Sequence, residues 1–187
     1  MPATQTTAVL TDAYELEPAH TRLGFAVRYA MVTTVQGEFT QFSGHALLDG
    51  DDPTRSTVTV IVSTASISTR QSQRDEHLRS SDFLDVESYP EMIFRSTAVE
   101  QTGENIFRMT GDLTICGVTR VVPLDFTLTG TATDPDGQRI AGFKGSAVIS
   151  RSDFGLTWNS VLETGGVLVG DDITLQLDVC AVKASDR

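Results

Sequence analysis

Apolar and polar residues alternate along most of this chain, and a period of two is the pattern of half-buried β-strands. Turn-forming stretches such as LDGDDPTRS and DPDGQR separate the alternating runs. The clearest runs give each strand one apolar row: Val58, Val60 and Val62; Val122, Leu124, Phe126 and Leu128; Ile173, Leu175, Leu177 and Val179. Roughly eight or nine strands each have one apolar, core-facing side and one polar, solvent-facing side. This repetition predicts an all-β antiparallel sheet that closes on itself or folds over.

Two prolines and one glycine are expected to disturb the predicted strands. Pro18 ends a short first strand, AYELEP, because proline lacks the N–H that a ladder needs. Gly37 is expected to break the second run. Pro123 lies within a strand pattern, which favours a sheet edge or a bulge at that point.

The chain has 187 residues and no internal repeat, which suits a single domain. We expect residues 1–12, which are small and polar, to form a flexible N-terminal tail, and residues 13–183 to form one barrel domain. Apolar residues make up 40% of the chain, so a core can form without disulfides or metals. Both cysteines, Cys116 and Cys180, are interpreted as small strand residues, with a bridge between them as the alternative.

One charged insert, RDEHLRSSDFLDVESYP, does not alternate and predicts a short helix over residues 73–81. Residues 73–81 include no β-branched residue, which favours a helix, and Pro90 ends the insert. Ser72 can cap the helix, and Asp75 can close a weak capping box with it. By analogy with other β-barrels, a single short helix is expected to cover a barrel mouth.

The formal net charge of −11 disfavours nucleic acids and acidic membranes as partners, because phosphates would be repelled. The first residues lack the basic and apolar segments of a secretory signal, and no apolar run reaches the roughly 18 residues of a membrane span. These features predict a protein without stable membrane insertion in the reducing cytoplasm.

No reactive constellation stands out in the sequence. His20, His45 and His77 have neither each other nor a cysteine at metal-ligand spacing, so no metal site is predicted. The chain also lacks a phosphate-binding glycine loop and a nucleophile elbow. We therefore expect no catalytic residues and no required cofactor.

Several stretches, in order, resemble the YceI-like family of lipocalin-like polyisoprenoid-binding proteins. The most specific are RDEHLRSSDFLD, GVTR and SRSDFG, and the resemblance runs from Tyr14 to Val182. It implies an up-and-down antiparallel β-barrel of about eight strands with one covering helix and a tunnel for a polyisoprenoid or prenyl-quinone-like lipid. It also implies a possible homodimer. Tyr29 stands where the family usually has histidine. Many members carry a signal peptide, which the first residues of this sequence do not predict.

The residues expected to line the tunnel are mainly aromatic and aliphatic side chains on the apolar rows. Each alternatively fills a solid core. Trp158, in a loop-like run, either gates the mouth or lies on the surface. The full set is Phe25, Val27, Tyr29, Phe39, Phe42, Leu78, Phe83, Phe94, Phe126, Phe154 and Trp158.

A second set of polar residues is expected at the mouth or as anchors of the helix: His20, Arg74, Asp75, His77, Arg151 and Asp153. Arg74 and Asp75 are interpreted as ties between helix and barrel, with contact to a ligand head group or catalysis as alternatives. Arg151 and Asp153 favour a structural ion pair, and His20 is expected to have a polar partner inside the barrel. The predicted function is binding or carriage of an amphiphilic lipid; the alternatives are an enzyme using His20 with Arg74 or Tyr29, and a solid-core interaction protein.

Overall fold

A computed structural model describes residues 10–185 as eleven β-strands, one α-helix and short 3₁₀ turns. The helix divides the strands into a group of six and a group of five along the chain. The elements are β1 (Asp12–Leu16), β2 (Arg22–Tyr29), β3 (Thr33–Phe39), β4 (Phe42–Leu48), β5 (Thr57–Ser63) and β6 (Ile67–Ser68); then α1 (Ser72–Arg79); then β7 (Glu91–Gly103), β8 (Ile106–Ile115), β9 (Val118–Thr133), β10 (Arg139–Ser150) and β11 (Val169–Lys183).

The eleven strands form eight ladder positions, because three long strands are each interrupted once. β1 and β2 both pair with β11, on either side of a 3₁₀ turn at Pro18–His20. β3 pairs with β2 and β4 with β1, while β5 pairs with β4 and β6 with β3. Each pair of short strands therefore acts as one long, kinked strand.

Every ladder is antiparallel and joins neighbours in sequence, and the last strand returns to the first. The order runs from β1–β2 through β3–β4 and β5–β6 to β7, β8, β9, β10 and β11, and β11 closes the ring on β1 and β2. Closure gives every ladder position a neighbour on both sides along at least part of its length. The predicted eight-stranded up-and-down barrel with one short helix is confirmed.

The three apolar rows predicted from the alternation all point inward. Val60 on β5 and Leu175 on β11 represent two of these rows, and both border the barrel interior. Leu128 lies in a buried cluster near one end of the barrel, with Tyr14 and Ala141. The sequence period therefore predicted the inner face correctly.

Three local expectations were wrong. The predicted tail includes Leu10, which is buried against Tyr14, and Asp12, which begins β1; residues 1–9 lie outside the described residues. Gly37 does not break β3, because the strand continues to Phe39. Cys116 lies in the turn between β8 and β9 rather than in a strand, and both cysteines are free.

Pro123 behaves as predicted. β9 pairs with β8 along its first half, but its ladder with β10 begins only at Asp125. Pro123 therefore lies where β9 has a single neighbour, which tolerates a residue without an N–H.

Candidate functional site

A cavity of about 370 Å³ occupies the barrel interior. This volume lies within the range of about 300–1,000 Å³ that is typical of small-molecule sites. Its wall is almost wholly apolar and draws on all eight ladder positions, with representatives Leu16, Phe25, Phe39, Val60, Phe94, Met109, Leu124, Phe143 and Leu175. The barrel is therefore hollow, and its interior suits an apolar ligand.

Three phenylalanine rings in the wall each lie against a glycine on the neighbouring strand. A Cβ built on any of these glycines would come within 2.4 Å of the ring, far inside van der Waals contact. The missing side chains thus let the rings lie along the wall instead of projecting into the cavity. The pairs are Phe25 with Gly37, Phe94 with Gly111, and Phe126 with Gly145.

Helix α1 closes one end of the cavity, which we call the helix end. Leu78 of α1 and Phe83, just after the helix, both face the cavity. Gln71 caps the helix by accepting a hydrogen bond from the Arg74 N–H, so the predicted cap at Ser72 was one residue late. The helix itself is short, so its position depends on bonds to the barrel.

Buried polar groups supply those bonds. The Asp75 carboxylate, 7% exposed, accepts from the Thr69 N–H at 2.8 Å and from the Thr69 hydroxyl at 2.5 Å. Arg74 donates to the same hydroxyl and to the Thr69 carbonyl, at 2.7 and 2.8 Å. Arg79 donates to the carbonyls of Ala65 and Ile67. The structure thus gives Arg74 and Asp75 the anchoring contacts that the sequence favoured.

Arg151 holds a second segment at the helix end. Its guanidinium, 5% exposed, donates to the carbonyls of Leu156, Trp158, Val169 and Gly170 at 2.7–3.2 Å. Burial lowers the pKa of Arg151, while a nearby aspartate acts in the opposite direction. These carbonyl bonds replace the predicted ion pair.

An aromatic cluster covers the outside of the same end. The ring of Trp158 lies 4.6 Å from that of His77 and 5.3 Å from that of Phe83, and His77 Nε2 lies 2.9 Å from Asp82 Oδ2. Because Phe83 also faces the cavity, Trp158 is one ring removed from any ligand there. Trp158 is the chain's single tryptophan, so its fluorescence can report on the cavity.

The opposite end of the cavity, which we call the loop end, is bordered by the β4–β5 connection. Asp49, Pro53 and Ser56 reach the cavity there, and the backbone N–H of Asp49 donates to the Ser56 hydroxyl. The polar atoms of this connection contribute almost nothing to the cavity surface, which stays apolar up to the loop end.

A family model described as YceI-like domain matches residues 14–181. The chain belongs to the YceI-like domain family.

Relatives and solved structures agree with this assignment. The chain is 39% identical over 140 residues to a UPF0312 protein of Pseudomonas savastanoi pv. phaseolicola, covering 75% of this chain and 73% of that protein. A YCEI protein of Campylobacter jejuni has a TM-score of 0.73 at 32% identity, covering 91% of this chain and 97% of that one. A polyisoprenoid binding domain from Saccharophagus degradans has a TM-score of 0.65 at 12% identity, covering 92% and 98%, which shows the shared fold alone.

Eight of the eleven residues predicted to line the tunnel of this YceI-like protein do face the cavity: Phe25, Val27, Phe39, Leu78, Phe83, Phe94, Phe126 and Phe154. The other three lie elsewhere. Tyr29 is 41% exposed at the rim, and Trp158 belongs to the outer aromatic cluster. Phe42 pairs with the lining residue Val62 but does not itself border the cavity. Whether the eight contact a ligand remains a prediction.

The predicted polar residues separate into anchors and exposed groups. His20 does not point into the barrel: it is exposed on the 3₁₀ turn, with Nδ1 2.8 Å from Glu17. Asp153 is likewise exposed, next to buried Arg151. The grouping of His20 with Arg74 or Tyr29 that an enzyme would need does not form, because Arg74 is bound to Thr69.

The sequence interpretation missed a large part of the wall on β7, β8 and β10. The period of two marks the β8 residues in IFRMTGDLTI, whereas on β7 the register shift between Ser96 and Ala98 breaks the period before Val99. The missed residues include Met92, Val99, Phe107, Met109, Leu113, Ile115, Phe143 and Ile149.

Residues 10–185 lack two features, a membrane-spanning helix and a metal-binding cluster. No helix in this range has both the length and the apolarity to cross a bilayer. Nor do three or more His, Cys, Asp or Glu side chains in this range come together as a metal ion would require.

Proposed function

We propose that this YceI-like protein binds an isoprenoid or a similar amphiphilic lipid, with the apolar chain of the ligand inside the barrel. The observation that carries the proposal is the cavity of about 370 Å³ with an apolar wall. The structural neighbour from Saccharophagus degradans, described as a polyisoprenoid binding domain, supports the ligand class. The hollow interior argues against the alternative of a solid-core interaction protein.

Burial of a short apolar chain is sufficient for affinity, so no specific hydrogen bond to the ligand is required. Burying one methylene contributes about 0.8 kcal/mol, so a five-carbon prenyl unit contributes roughly 4 kcal/mol before costs. Three units contribute roughly 12 kcal/mol, which leaves about micromolar binding after association costs of roughly 4 kcal/mol. Affinity should consequently depend on chain length more than on the head group.

The test is a titration with quinones that carry zero, one, two or three prenyl units. Quenching of Trp158 fluorescence should report binding, and each added unit should lower Kd at least tenfold until the cavity is full. Native mass spectrometry of protein prepared without detergent gives an independent readout. Equal affinity across the series, or no binding of any member, would contradict the proposal.

Substitutions at two neighbouring residues distinguish ligand binding inside the cavity from binding on the outer surface of the barrel. Ala46 lines the cavity, whereas Leu47 points outward and is 59% exposed. Ala46→Phe should fill part of the cavity and weaken binding of the longest quinone, while Leu47→Phe should leave it unchanged. A weaker Kd in both variants would mean that the ligand does not occupy the interior.

A further inference from the structure

Five exposed apolar side chains gather beside the helix end of the barrel, and we call them the rim patch. They lie on two segments, the β2–β3 turn and the loop before β11, which are joined by a 2.7 Å hydrogen bond from the Ala30 N–H to the Leu168 carbonyl. The members, with exposed fractions, are Tyr29 at 41%, Met31 at 59%, Val32 at 79%, Val161 at 82% and Val167 at 41%.

The rim patch is continuous with the wall of the cavity. Phe25 and Val27 line the cavity on β2, and Tyr29 is the next residue on the same face. Across the ladder Tyr29 pairs with Val169, which also lines the cavity. An apolar path therefore leads from the interior over Tyr29 to the exposed turn.

The charge of these segments differs from that of the rest of the chain. The chain has 25 acidic residues, yet none occurs between Arg22 and Gly37, where Arg22 and Arg28 are the charged residues. From Phe154 to Gly170 the sequence has one acidic residue, Glu163. The exposed Asp171 and Asp172 follow directly, and Asp171 accepts a hydrogen bond from the Ser152 N–H at 3.0 Å. A protein with a net charge of −11 thus presents an acid-poor, apolar surface at its cavity rim.

The turn itself keeps apolar residues at a conformational cost. The Val32 N–H donates to the Tyr29 carbonyl at 3.2 Å, and the two central residues, Ala30 and Met31, have φ of 49° and 64°. Turns with two positive φ values strongly favour Asn-Gly, because Cβ atoms are strained there. Folding alone does not account for Ala-Met at these positions.

We infer that the rim patch docks on the surface of a lipid bilayer with neutral headgroups, so that the cavity rim meets the lipid phase. The inference rests on the proposed function, since a carrier of apolar chains must exchange them with a membrane. The exposed valines and Met31 enter the boundary between headgroups and acyl chains, and Tyr29, which has an apolar ring and a polar hydroxyl, suits the interface. Repulsion by the −11 net charge makes anionic bilayers a poorer target.

The test is flotation of the full chain, free of ligand, with phosphatidylcholine vesicles. Wild-type protein should float with the vesicles, and replacing a third of the lipid by phosphatidylglycerol at low salt should reduce the floated fraction. The variant Ala30→Asn/Met31→Gly/Val32→Ser should float at least fivefold less. Because Asn-Gly suits the turn, this variant should melt at the same or a higher temperature than wild type. A loss of flotation then reflects the lost apolar side chains and not unfolding.

Matched controls change apolar residues of similar exposure on β4 and β9. Leu47→Ser matches Met31 in exposure, at 59%, and Val121→Ser, at 67%, is the control for Val32, at 79%. Flotation of both control variants should equal that of wild type. Equal losses in controls and patch variant, or no flotation of wild type, would overturn the inference.

Two measurements keep this inference separate from the proposed function. The patch variant should bind a diprenyl quinone supplied from ethanol with the wild-type Kd, while its uptake of the same quinone from vesicles should slow at least fivefold. If quinone binding fails in wild type but vesicles are still bound, the proposed function is wrong and the docking surface stands. Sedimentation that shows a dimer lost in the patch variant, without vesicle binding, would assign the patch to a second copy and overturn the inference.

Discussion

Adding one methyl group at Gly145 should narrow the cavity without unfolding the barrel. Gly145 on β10 pairs with Phe126 on β9, and both face inward. A Cβ at residue 145 would lie 2.3, 2.5 and 2.8 Å from three atoms of the Phe126 ring, and no backbone atom is among these nearest neighbours. In Gly145→Ala the ring must therefore retreat, and the open side is the cavity.

The size of the effect follows from the distances. Ordinary contact begins at 3.4 Å, so the nearest ring atom must move about 1 Å, the difference between 3.4 and 2.3 Å. The displaced ring and the new methyl group exclude roughly one or two methylenes of ligand, each worth about 0.8 kcal/mol. We therefore expect the Kd of a quinone long enough to fill the cavity to rise about 4- to 15-fold.

Stability should change little, which separates this variant from a general loss of structure. Gly145 has no positive φ, so alanine fits its backbone, and the substitution restricts the unfolded chain by about 0.4–1 kcal/mol. This gain offsets the cost of moving the ring. Urea unfolding should thus place the variant within about 1 kcal/mol of wild type.

The assay compares Gly145→Ala with Gly103→Ala in the quinone titration and in urea unfolding. A Cβ at Gly103 would meet only Ile106, at an ordinary 3.4 Å, so this control should keep the wild-type Kd. Unchanged affinity in Gly145→Ala would mean that the ligand does not reach Phe126. A loss of stability above about 3 kcal/mol would instead mean that the ring has no free space to enter, which would refute a hollow interior.

Three further variants test the anchors of the helix end. Asp75→Ala removes the acceptor of two buried Thr69 donors and should cost about 2–3 kcal/mol in urea unfolding; a cost below about 0.5 kcal/mol would contradict the anchoring role. Arg151→Met should lower the free energy of unfolding by about 3 kcal/mol or more in the same assay. Arg151→Lys should retain only part of this free energy, because one ammonium group cannot make the several hydrogen bonds of the guanidinium. Wild-type stability in Arg151→Lys would contradict this geometry. A hydrogen bond from Ser150 holds the pKa of Asp171 below its usual 3.8. The ionised Asp171 therefore stabilises the fold above pH 3.8, and this stabilisation disappears as the pH falls through the pKa of the folded state. Asp171→Asn should unfold at a lower urea concentration than wild type at pH 7, and a difference in stability that persists undiminished at pH 2 would contradict the linkage.

The fold was predictable because one local pattern carried it. Each strand has one face inside the barrel and one face in solvent, so its apolar residues recur at every second position. The turn residues then mark where the strands end. The helix was predictable from the absence of β-branched residues and from Pro90. Its cap was missed by one residue, because Gln71 and Ser72 are adjacent polar residues and only the geometry decides between them.

The candidate site was predictable only in part. The sequence showed that Phe25, Phe94 and Phe126 face inward, but not that their rings lie flat, because this depends on glycines in other strands. Likewise the four carbonyls that Arg151 binds are distributed over 156–170 and come together only through the loop. His20 was misplaced because a family pattern gives no information on which way a turn points.

The hollow interior is itself evidence for a ligand, because empty volume is costly. At about 24 cal/mol per Å³ of cavity, the 370 Å³ correspond to roughly 9 kcal/mol of packing that the chain does not gain. A typical domain is stable by only about 5–15 kcal/mol, so the unused packing is comparable to the whole stability. Water would recover little of the loss, because the apolar wall offers it almost no hydrogen-bond partners. A bound apolar chain does recover it, and for that reason the same glycines that weaken the empty barrel are what make room for the lipid.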